Sequence, residues 1–117
     1  MSAQPSQTPA RSELPASQST RLVDLVNYQE GAVVSRTLLK RPTGTVTVFA
    51  FDAEQGLSEH TSPFDALLQV LEGRAEITIA GKPLCASVGE CVLLPASQPH
   101  AVKATTPFKM LLTMISS

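Results

Sequence analysis

The sequence predicts a single all-β domain, either a barrel or a jelly-roll sandwich. Three observations carry that prediction. The segments between turns are short, rich in β-branched residues and mostly alternating in polarity, as half-buried strands are. All six glycines lie beyond Arg21, at positions 31, 44, 56, 73, 81 and 89, with intervals of 8 to 17 residues that match strand-and-turn spacing. The 117 residues, 12.4 kDa, suffice for one domain with a real core and not for two.

Residues 1–20 (MSAQPSQTPARSELPASQST) are mostly Ser, Pro, Gln, Ala and Thr. So little apolar surface cannot offset the entropy of ordering, and the segment reads as a flexible tail ahead of one domain at 21–117. Leu22–Tyr28 (LVDLVNY) alone has helical spacing, with Leu22, Leu25 and Val26 on one face. Ala32–Lys40 and Thr45–Asp52 flank Arg41-Pro42-Thr43-Gly44, a hairpin turn. Ala66–Leu71 runs to the turn at Glu72-Gly73, and Ala75–Ile79 alternates cleanly up to Ala80-Gly81. Leu84–Ala86, Cys91–Leu94, His100–Ala104 and Phe108–Ile115 complete the strands.

Composition excludes several functions. Nine Lys+Arg against ten Asp+Glu give a net charge of -1, no footprint for a nucleic acid or an anionic membrane. No apolar run approaches the ~20 residues of a membrane span, and no apolar stretch follows Met1 as in a secretory signal, so a cytoplasmic protein is expected. Neither a phosphate-cradling glycine loop nor a G-x-S-x-G elbow occurs. Cys85 and Cys91 lack the C-x-x-C spacing of a metal pair and are expected to be reduced, buried thiols.

His60 and His100 are the only histidines, each beside turn residues at a strand end. Taken singly, either reads first as a locally hydrogen-bonded imidazole and only second as a ligand. Their surroundings bring them together. Gly89, Pro95 and His100 match in identity and spacing the pattern G-x5-P-x-G-x2-H-x3-N, with Ser97 at its second Gly and Ala104 at its Asn. His60 and Gly73 match G-x5-H-x-H-x3,4-E-x6-G, with Glu54 at its leading Gly, Ser62 at its second His and Ala66 at its Glu. Fifteen residues separate Gly73 from Gly89. In these features residues 30–115 resemble the cupin superfamily, and specifically a small, RmlC-like bacterial cupin with a degenerate first motif.

The resemblance implies a cupin-type double-stranded β-helix, a jelly-roll barrel. It also implies a metal position that the family fills with three His and one Glu around Fe, Mn, Ni, Zn or Cu. Two of those four ligands are present here, so the divalent metal is expected to be weakly bound or absent. Strand alternation sends positions two apart to one face, which predicts that His60 and Ser62 point together into the barrel and meet His100. Gln98, on the loop before His100, completes the expected ligand pocket of His60, Ser62, Gln98 and His100. Asp65, swung inward by a bulge, is the candidate third metal ligand beside His60 and His100.

Three readings stay open on the sequence. One is a small-molecule-binding cupin with a partial metal site and no assured catalysis. The second is a metal-dependent enzyme, oxygenase-like or isomerase-like, acting on a small polar organic substrate. The third is a structural or regulatory barrel without ligand. A homodimer is also expected, because Phe108–Ile115, Ala66–Leu71 and Cys91–Leu94 are apolar on both faces. One face fills the barrel, and a second copy, or the Leu22–Tyr28 segment, must cover the other.

Overall fold

The computed structural model describes residues 13–116. Among the described residues nine strands follow one 3-10 turn at Leu22–Asp24: β1 (Val33–Arg41), β2 (Gly44–Phe51), β3 (Gly56–His60), β4 (Asp65–Glu72), β5 (Arg74–Ile79), β6 (Lys82–Ser87), β7 (Cys91–Leu94), β8 (His100–Lys103) and β9 (Phe108–Ile115). They pair antiparallel into a five-stranded sheet, β1-β2-β9-β4-β7, and a four-stranded sheet, β3-β8-β5-β6. This is the all-β class that the alternation predicts, in the jelly-roll form that the resemblance implies. No helix among the described residues is long and apolar enough to cross a membrane.

The core lies between the sheets. Phe51 on β2 is the register partner of Phe108 on β9, and their fully buried rings stack at 4.5 Å. Leu68, Val70, Met110 and Leu94 join them from the five-stranded sheet, and Ala75, Ile77, Ala86 and Val102 from the other. Gly73 ends β4 with φ +76°, and a Cβ there would lie 2.5 Å from the Pro107 carbonyl oxygen, so only glycine fits the corner.

A second apolar cluster sits on the outer face of the five-stranded sheet. Leu38, Val48 and Ala50 are buried there beneath Val26, with Leu14, Leu22, Leu25 and Tyr28 packed around them. Residues 14–28 thus form a strap across β1, β2 and β9. Helical spacing over Leu22–Tyr28 yields only the 3-10 turn, because so short a segment gains more from laying its apolar side chains on a sheet than from helical hydrogen bonds. Of residues 1–20, positions 1–12 lie outside the described residues. Leu14 is tied in by its N–H, which donates to the Leu38 carbonyl at 3.1 Å.

One polar latch fastens the strap. Lys109, only 8% exposed, donates from Nζ to the Val23 carbonyl at 2.6 Å and lies 5.1 Å from the centre of the Tyr28 ring. The Tyr28 hydroxyl donates to Glu72 Oε2, and burial together with that carboxylate pushes the phenol well above its usual range. A nearly buried ammonium is tolerated here because it meets a carbonyl and an aromatic face.

Both cysteines are exposed rather than buried. Cys85 stands opposite Glu76 on the outer face of the four-stranded sheet. Cys91 faces outward opposite Gln69 on the edge strand β7. Alternation set their faces, and neither face is covered at that point.

Candidate functional site

The two histidines meet at one end of the sandwich. β3 ends at His60 and β8 begins at His100, and the two are register partners after an irregularity in the β3–β8 pairing. His100 also pairs with Ile79 on β5 and lies two residues before the inward-facing Val102, so its ring points into the barrel. The ring centroids are 4.4 Å apart in an edge-to-face arrangement. His100 is 7% exposed, whereas His60 is exposed, so the pair sits where the barrel opens to solvent.

Each imidazole is anchored in the same way. His60 Nδ1 lies 2.7 Å from the Ser58 carbonyl, and His100 Nδ1 lies 3.3 Å from the Gln98 carbonyl. A carbonyl oxygen only accepts, so each Nδ1 carries the proton. In the neutral rings each Nε2 is then left as an acceptor or metal-binding lone pair. The anchoring carbonyl comes in both cases from the residue two positions earlier, a backbone device that side-chain motifs do not reveal. Burial lowers the pKa of His100, the Gln98 carbonyl pulls it up, and the facing His60 lowers it again, with a net downward shift. The inner ring is therefore neutral near pH 7.

Ser62 and Asp65 are placed differently from their expected roles. β3 stops at His60, so strand alternation does not extend to Ser62. The Ser62 hydroxyl accepts the N–H of Phe64 at 3.1 Å, and its carbonyl accepts the N–H of Ser97 at 2.7 Å. Asp65 opens β4 opposite Ile115 and accepts the Ala96 N–H on Oδ1 at 2.8 Å. Both residues thus hold the loop Pro95–Pro99, whose Gln98 carbonyl in turn orients His100. Gln98 enters the site through its backbone.

Among the described residues no three His, Cys, Asp or Glu side chains converge as a metal site. Asp65 therefore does not complete a triad with His60 and His100. Three protein ligands are the usual minimum for a catalytic zinc, and two His with one carboxylate for non-haem iron. Two imidazoles alone do not fit either requirement.

Two positions at which the resembled patterns carry glycine have kept the backbone that glycine favours. Glu54 has φ +68° and Ser97 has φ +66°. Both are in the left-handed region, which costs a residue with a Cβ roughly 1–2 kcal/mol. Ser97 offsets part of this through its N–H bond to Ser62, and Glu54 through its N–H bond to the Ala104 carbonyl at 2.6 Å.

Comparison with known proteins agrees with this fold. A family model described as a cupin domain matches residues 47–115. A conserved protein of unknown function from Streptococcus pyogenes is 34% identical, with a TM-score of 0.84 over 89% of this chain and 91% of that one. A cupin 2 conserved barrel domain protein from Leptotrichia buccalis is 40% identical, with a TM-score of 0.78, over 80% of this chain and 46% of that one. A cupin superfamily protein from Desulfitobacterium hafniense is 26% identical, with a TM-score of 0.83, over 89% and 95%. No curated protein matches the chain.

Proposed function

The chain belongs to the cupin-domain family, and on that premise we propose that it is a small-molecule-binding cupin of the cytoplasm, whose ligand is held by His60 and His100. The observation that carries this reading is the double Nδ1 anchoring. Two imidazoles anchored through Nδ1 each leave Nε2 to meet a ligand, one ring buried in the barrel and one exposed at its rim. Their complement is a small polar organic molecule presenting O–H or N–H donors. Catalysis is not required by this arrangement.

The alternative, a metal-dependent oxygenase-like or isomerase-like enzyme, needs a third ligand, and Asp65 is engaged with Ala96. Elemental analysis of protein purified without chelator, beside the His60→Ala/His100→Ala double variant, separates the two. The proposed reading expects far less than one equivalent of transition metal in both proteins. A full equivalent in the parent, lost in the variant, would install the enzyme reading instead. Ligand binding is then followed by long-range 1H–15N spectra of the two rings during titration with small polyols, hydroxy acids and amines. A perturbation confined to the Nε2 signals is expected, and a bound compound that leaves both rings unchanged counts against the site.

A further inference from the structure

The inner face of the five-stranded sheet carries a cation at the end of the barrel where the histidines meet. Asp65, which opens β4 just after His60 closes β3, pairs with Ile115, and Ile115 with Gly44 at the β1–β2 turn. β1 and β2 pair regularly up to Thr37 opposite Thr47 and then slip by one residue, so that Lys40 rather than Leu39 stands opposite Thr45. Thr45 pairs in turn with Met114, which packs against the shared core, so this row faces inward. The extra residue is a β-bulge, a device that re-aims side chains, and here it exchanges an inward leucine for an inward lysine. Phe64 lies two residues before the inward-facing Ala66, and its N–H donates to the Ser62 hydroxyl at 3.1 Å. Phe64, Met114, Thr45 and Lys40 line a cavity of about 390 Å³, whose wall Arg41 and Pro42 of the hairpin turn complete.

We infer that this cavity binds a small organic acid, a monocarboxylate with a compact apolar body. Its size falls within the roughly 300–1,000 Å³ of small-molecule sites, which pair mostly apolar walls with a few placed polar groups. Phe64 and Met114 supply the apolar wall, and the Lys40 ammonium supplies a point charge for the carboxylate. Charge complementarity selects an anion. Among the described residues Lys40 has no carboxylate partner, and no carboxylate lines the cavity. Arg41 is already engaged: its guanidinium donates to the Lys40 carbonyl at 2.7 Å and lies 3.7 Å from the Glu13 carboxylate. The chain's own remaining residues do not supply the anion, since positions 1–12 contain Arg11 and no acidic residue. The site uses neither histidine, so it stands apart from the ligand that the imidazoles hold.

Methyl-13C methionine spectra of the full chain test the inference, because Met114 lines the cavity while Met110 is fully buried in the core. Titration with benzoate should shift the Met114 methyl saturably through the ring current and leave Met110 in place. Benzamide, of the same shape without the charge, should bind several-fold more weakly. Lys40→Met should weaken benzoate by about fivefold, the order of one partly exposed ion pair, and leave benzamide unchanged. Lys40 is exposed, so the variant should fold as the parent does. His60→Ala/His100→Ala should keep the Met114 response, which tells a failure of the histidine site from a failure of this one. Loss of the response in that double variant would overturn a separate site. A Met114 signal that benzoate does not move, or a Lys40→Met variant that binds benzoate as tightly as the parent, would overturn the inference itself.

Discussion

On the five-stranded sheet Val48, Ala50 and Leu111 lie under the strap, whereas the outer face of the four-stranded sheet leaves Glu76, Cys85 and Lys103 in one uncovered row. Both sheets send alternate residues inward to one shared core. They differ in what the other parity carries. β2, β4 and β9 are apolar on both faces and demand a second layer, which residues 14–28 provide in part. β5, β6 and β8 alternate and need none. The five-stranded sheet is packed on both faces over part of its width, and the sheet packed on one face alone carries the two histidines. Its solvent-facing rim leaves room for an exposed His60 beside a buried His100.

The largest effect that would break this contrast is in the shared core. Phe108→Ala removes a fully buried ring stacked on Phe51 and should cost about 3–5 kcal/mol in denaturant unfolding. Thr78→Ala, on the outer face of the four-stranded sheet, should stay within roughly 0.5 kcal/mol. A comparable loss at both positions would erase the distinction between the sheets.

The latch comes next. Lys109→Met keeps an unbranched side chain but removes the bond to the Val23 carbonyl and the cation over Tyr28. A loss of about 1–3 kcal/mol is expected, with faster amide exchange at the Leu14 and Leu25 N–H groups and unchanged exchange in β5. Faster exchange in β5 as well would show that the strap is not a separate layer.

Ser97→Gly sharpens the comparison from the side of the site. Glycine adopts φ +66° without strain, so the variant should gain about 1 kcal/mol, reduced somewhat by the freedom that glycine adds to the unfolded chain. Ser97→Ala should show no such gain, because its Cβ retains the strain.

The smallest effect is pH dependence. His100 has a lowered pKa in the fold, chiefly from burial, so the unfolded chain binds a proton more readily than the native one. The stabilising contribution is complete above the unfolded value of ~6.5 and falls as pH drops from there through the native pKa. Unfolding midpoints of the parent should therefore drop more between neutral and mildly acidic pH than those of His100→Asn. Parallel curves would show that burial of the ring is not coupled to its protonation.

Much of this molecule could be read along the chain. β7 and β9 match their predicted spans, and the other predicted strands differ by a residue or two at their ends, because side-chain parity and turn residues are local properties. β3 had no predicted span of its own; Gly56–His60 is mostly exposed and polar, and it becomes a strand by pairing with β8. The meeting of His60 and His100 was legible through motif spacing. The expectation of buried thiols failed because hydrophobic character alone does not say which face of a strand will be covered.

Residue order by itself determined the all-β class, the glycine-bounded turns, the inward parity of the core and the pairing of two imidazoles. Tertiary structure decided what those imidazoles lean on, what Ser62 and Asp65 do, and what lies over the second face. The physical reason is range. Parity and turn conformation are settled within a few residues, whereas Asp65 meets Ala96 across 31 positions and Lys109 reaches Val23 across 86. Such contacts end on backbone N–H and carbonyl groups, which every residue but proline carries alike, so they exist only once the sheets have brought distant segments together.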